Sequence, residues 1–162
     1  SERLCTQAQA EEEQLYLQLT LISRIDDHMA NLGYEPDGEP EIHDDRPGMI
    51  SRMRYRLSVH TYVVVHVSPS LKTTWYVEYA APAGTKCTDD LSNDDREELF
   101  ETMRQWEANY LRLGQSLAEE GIRVTIEKLD SQRVDEHTFV ERQTGQQQRR
   151  RAVQTVRNHL QH

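Results

Sequence analysis

Cysteine is almost missing from this chain. Cys5 and Cys87 are the only two, far apart and in no C-x-x-C spacing, which excludes a disulfide framework and a thiolate zinc site and fits a reducing compartment. Glycine (7) and proline (5) are also scarce, so a collagen-like or low-complexity chain is excluded. No Gly-rich phosphate-cradling motif is spelled out either. No apolar run approaches the ~18 residues a membrane helix needs, and the opening "SERLCTQAQAEEEQ" lacks the basic-then-apolar order of a signal peptide. The expectation is a cytoplasmic protein, or a virion component made in the cytoplasm, with no membrane partner. Lysine is the last shortage: Lys72, Lys86 and Lys128 are the only three among 19 basic residues, and the rest are arginine.

What is present is charge, unevenly spread. The chain of 162 residues is 36% hydrophobic and 29% charged, values that belong to one folded domain. Five arginines and no acid fall in residues 142–162. Residues 1–141 therefore carry 14 basic against 28 acidic groups, a formal −14. The reading is a single acidic domain over 1–141 followed by a basic helix or tail over 142–162.

Apolar spacing divides the body into elements. Leu15, Leu19, Ile22, Ile25, Met29 and Leu32 recur at three- and four-residue steps, which predicts an N-terminal helix over about 4–32, stopped at Gly33 with Tyr34 folding back on its last turn. Residues 35–49 hold three prolines, two glycines and six acids, and read as a loop with at most a short edge strand. Leu99, Met103, Trp106, Tyr110, Leu113 and Leu117 form one face of a long helix at 92–120, with Ser92 as its N-cap and Gly121 as its stop. "IRVTIEKL" predicts a strand at 122–129, and residues 130–141 read as a short strand or a loop. Val153, Val156 and Leu160 give the basic C-terminal segment a narrow apolar stripe.

The most distinctive run is "RMRYRLSVHTYVVVHV" at 52–67. Apolar residues hold every odd position except Thr61, while Arg52, Arg54 and Arg56 hold even ones. The phase never slips, and no Gly, Asn or Asp marks a tight turn, so the run reads as one long, bent strand with a bulge near 58–61. With "TTWYVEYA" at 73–80 it makes a long hairpin over about 51–81, in which Val65 faces Trp75 and Val63 faces Val77. In that register the three arginines overhang their partner strand. Acids of this chain, in the 39–45 loop or at Glu127 and Asp130, or acids of a second subunit, are then what they meet. The fold class is α+β: an antiparallel sheet built on this hairpin plus the 122–129 strand, packed against both helices, with the basic C-terminal helix beyond.

Residues able to do chemistry are scattered. Glu39, Glu41, His43, Asp44 and Asp45 crowd one loop, but no H-x-x-x-H or EF-hand spacing occurs. His60 and His66 lie about 20 Å apart on an extended strand, too far to share an ion, so no metal site is expected. Asp26, Asp27 and His28 on the first helix, and Cys87 with Asp89 and Asp90, offer acid, base and nucleophile without a catalytic spacing. Neither enzymatic activity nor a cofactor is expected.

These observations predict a non-enzymatic binding or assembly protein: a homo-oligomeric adaptor or a viral or phage-like particle component. Its subunit contacts would use the sheet edge at Arg52, Arg54 and Arg56 and the C-terminal residues Val153, Val156 and Leu160. The order helix, strands, helix, strand over about residues 10–130 is similar to that of the small acidic secretion chaperones of bacteria, and this resemblance implies a dimeric chaperone as an alternative. A second alternative is nucleic-acid association through Arg149, Arg150, Arg151 and Arg157, set against the repulsion of the acidic body.

Overall fold

The computed structural model describes residues 2–45, 48–126 and 139–142. In chain order the elements are α1 (Glu2–Asn31), β1 (Glu35–Pro36), β2 (Glu41–Asp45), β3 (Gly48–Arg56), β4 (Thr61–Val67), β5 (Lys72–Ala81), a 3₁₀ turn (Thr88–Asp90), α2 (Asn93–Glu119), β6 (Arg123–Ile126) and β7 (Phe139–Glu141). The sheet runs β1-β3-β4-β5-β6, with β2 also on β3 and β7 also on β5. This is the α+β class expected from the sequence. The C-terminal residues Arg149, Arg150, Arg151, Val153, Val156, Arg157 and Leu160 lie outside the described residues, as do 127–138.

Local chemistry places the start of α2 and the ends of both helices. Ser92 Oγ accepts from Asp95 N at 3.2 Å and caps α2. At the end of α1, Gly33 takes φ +87°, Tyr34 N bonds to Met29 O and Gly33 N bonds to Ala30 O, both at 2.9 Å. That is the two-bond glycine stop, and Gly121 repeats it after α2. The apolar stripes of both helices lie on one face of the sheet. Leu21, Ile22, Ile25 and Met29 of α1 and Trp106, Leu113 and Leu117 of α2 pack with Met53, Tyr55, Val63, Val65, Val67, Trp75 and Val77. Trp75 and Trp106 stack at 6.3 Å between centroids. A second cluster, Tyr79, Ala81, Leu91, Leu99 and Met103, fills the other end of this face.

The strands differ from the sequence reading in two ways. First, residues 52–67 are two strands, β3 and β4, joined by a loop at 57–60. Arg56 pairs with Tyr62 and Tyr55 with Val63, so residues of like parity meet across the loop and the alternation passes through it unchanged. The loop lacks turn residues because α2 supplies the turn's partner: Glu98 Oε1 accepts from Ser58 Oγ at 3.0 Å and from His60 N at 3.1 Å. Second, the sheet is mixed. The β4–β5 hairpin has the expected register, Val65 on Trp75 and Val63 on Val77. β6 and β7, however, both run parallel to β5, because α2 carries the chain back before β6 begins.

These changes relocate the arginine row. Arg52, Arg54 and Arg56 do not overhang the sheet. β3 has β4 on one side and β1 and β2 on the other, formed from the stretch read as a loop.

Candidate functional site

Helices cover one face of the sheet, and the other is covered by its own side chains. On this second face β3, β4 and β5 set a three-by-three grid, with rows Arg52–His66–Thr74, Arg54–Val64–Tyr76 and Arg56–Tyr62–Glu78. Arg52 reaches diagonally across β4 to Glu78, 3.1 Å away, and also meets Glu41 of β2 at 3.0 Å. Arg54 lies 3.4 Å from Asp37 and 3.5 Å from Glu78, with its guanidinium 3.6 Å from the Tyr62 ring centroid. Arg56 reaches Asp37 at 3.6 Å and flanks the same ring at 5.4 Å.

Three cations thus meet three carboxylates, all of this chain. The side chains of Arg52 and Arg54 are 14% exposed and that of Glu78 9%, so these are desolvated, charge-assisted pairs. Arg52 must cross β4 to reach β5, and Val64 beneath is fully buried although neither α1 nor α2 covers this face. Burial, then the charges of Arg52 and His43, hold the His66 imidazole below the usual histidine range, and its Nε2 lies 3.0 Å from Tyr76 Oη. The grid is internally neutralised, and its chemistry is cohesion.

A second constellation forms where the β3–β4 loop meets the first turns of α2. His60, Asp95 and Glu98 each present one donor atom there, all within 4.8 Å of one another and half-buried. Asp95 Oδ2 pairs with Arg142 at 3.0 Å, and the His60 ring stands edge-on to Tyr79, 6.2 Å between centroids at 81°. Burial and the charges of Glu98 and Asp95 push the Tyr79 phenol up to about 12. These are the described residues whose donor set would suit a metal ion. Sequence spacing concealed them, because Glu98 is 38 residues from His60 and only the fold joins the two.

The other sequence candidates do not assemble. Asp26 accepts from Tyr55 Oη, and burial raises its pKa above the ordinary carboxylate value, while His28 turns to Glu120 at 3.0 Å. Asp90 is used as a turn staple: it accepts from Lys86 N at 3.0 Å and Cys87 N at 3.2 Å, which hold its pKa below the ordinary value. His43 lies 3.5 Å from Glu41 on β2. No described helix is long and apolar enough to cross a membrane. Comparison with protein-family models, with curated proteins and with solved structures gave no match.

Proposed function

We propose that this chain is a non-enzymatic binding and assembly protein that self-associates through α1. The observation that carries the reading is the mismatch between this helix and the sheet it packs on. At 30 residues α1 is about 45 Å long, whereas the longest strand, ten residues of β5, covers about 33 Å. Residues 6–13 are exposed at every position, and Gln14, the next residue, donates to Pro69 O at 3.1 Å. At the root of this arm Tyr16 is 70% and Leu17 49% exposed, adjacent large apolar groups facing water. An extended helix gains little from its own propensity and is stabilised chiefly by packing its apolar positions, which a second α1 would supply.

In this reading the contact surface is α1 and not the backbone edge of β3, whose two sides are occupied. The test is multi-angle light scattering on the full chain at ~100 µM, a concentration at which micromolar association is complete. An oligomer is expected, converted to monomer by the double substitution Tyr16→Glu, Leu17→Glu. A monomeric wild type would sink the proposal. A stop at the dimer favours the chaperone-like form of the reading, and rings or higher assemblies favour a particle component.

A further inference from the structure

We propose that His60, Asp95 and Glu98 form a binding site for one divalent transition-metal ion, with zinc the ion that best suits the donor set. The three donors are an imidazole nitrogen and two carboxylate oxygens, brought together from the β3–β4 loop and from two positions one turn apart on α2. Zinc takes nitrogen at 2.0–2.1 Å and carboxylate oxygen at 2.0–2.2 Å, so ligands around one tetrahedral ion lie about 3.4 Å apart. The three donors are within 4.8 Å of each other and close on the ion by side-chain shifts of no more than about 1.4 Å per pair. Calcium and magnesium call for six or more oxygens, whereas an imidazole with two carboxylates fits zinc, with water completing the tetrahedron.

The surroundings hold these side chains in place. Glu98 commits Oε1 to Ser58 Oγ and His60 N. Asp95 commits Oδ2 to Arg142, and the Tyr79 ring braces the imidazole. Such outer partners orient metal ligands and tune their affinity. Two carboxylates against one arginine leave a net negative charge at a half-buried position, which a dication offsets. An independent sign of an incomplete polar environment lies next door. Thr61 follows His60, pairs with Tyr79 and is fully buried, and its Oγ1 has no hydrogen-bond partner among the described residues.

The decisive experiment is titration of the full chain, stripped with chelator, with Zn²⁺ alone by calorimetry, repeated with Co²⁺ to read the coordination number from its visible absorption. One equivalent of zinc with micromolar or tighter affinity and a tetrahedral cobalt spectrum are expected. His60→Ala and Asp95→Asn each abolish both signals. Ser58→Ala, which frees Glu98, weakens binding by about ten- to a hundredfold. His43→Ala, at the exposed acidic strand, leaves binding unchanged. Far-UV circular dichroism confirms that each variant is folded. Should His60→Ala unfold the chain, Asp95→Asn alone decides, since it keeps the residue's size. No binding by the wild type below ~1 mM overturns the site, as does binding that survives both His60→Ala and Asp95→Asn or that disappears with His43→Ala. None of these readouts depends on oligomeric state, so the site stands or falls separately from self-association.

Discussion

At the scale of single residues, burial makes the charged groups consequential. Glu78 is nearly excluded from water and answers two guanidiniums, so removing its charge leaves Arg52 with Glu41 and Arg54 with Asp37 in a half-neutralised, desolvated cluster. Glu78→Gln is expected to cost about 3 kcal/mol, read as a drop in the urea midpoint at unchanged slope. Two pH effects follow from the fold and have opposite signs. His66 is held below its ordinary pKa, so the unfolded chain binds the extra proton more readily than the native one. Its contribution to stability is complete above about pH 6.5 and falls as pH is lowered through the depressed value. A His66→Gln variant should lose that slope. Asp26 is raised, so the native state holds its proton longer. Its contribution is present below about pH 4 and is lost as pH rises through the raised value. Asp26→Asn retains an oxygen for the Tyr55 hydroxyl, and its stability relative to wild type should rise as pH climbs above about 4 and level off once the raised value is passed. Denaturant curves across the pH range check both. None of these residues announced its burial in the sequence, because exposure is decided by which strands lie alongside.

At the scale of elements, helices were legible and the connections between strands were not. A helix carries its evidence within itself: the three-and-four spacing of α1 and α2, Ser92 at one start and Gly33 and Gly121 at the two ends are local facts. Ser92→Ala should accordingly cost about 1 kcal/mol in a thermal or urea melt. The β3–β4 loop is the opposite case. Its sequence, Leu57-Ser58-Val59-His60, contains no residue that favours a tight turn, and its geometry is imposed by Glu98 from α2. Parity hid the loop further, since an antiparallel pairing of like-parity residues preserves a two-residue period across the turn. β1 and β2 were obscured for another reason. Charged, proline-containing edge strands have almost no apolar alternation to read, and β2 takes its order from pairing with β3. The candidate site suffered most, because His60 belongs to the misread turn and its partners to a helix more than thirty residues away.

At the scale of the whole molecule, the proposed association would work against the charge of an acidic body. Residues 1–141 carry a formal −14, so two copies repel each other at long range, and in the proposed self-association an apolar contact at Tyr16 and Leu17 would have to overcome that repulsion. Self-association through α1 is therefore expected to strengthen with salt, measurable by sedimentation velocity between ~50 mM and ~500 mM NaCl as the Debye length shrinks several-fold. Contact between a basic tail and an acidic face would weaken over the same range, so the sign of the salt effect separates the two surfaces.

The amino-acid sequence by itself determined the helices, their stops, the facing pairs of the β4–β5 hairpin and the division of charge, because each depends on neighbours a few residues apart or on a simple period. Only the tertiary structure decided where the arginines of β3 point their charge, how the β3–β4 loop is held and which carboxylates stand beside His60. Those outcomes depend on groups that the chain brings together from distant positions, and their energies arise only once water has been excluded between them.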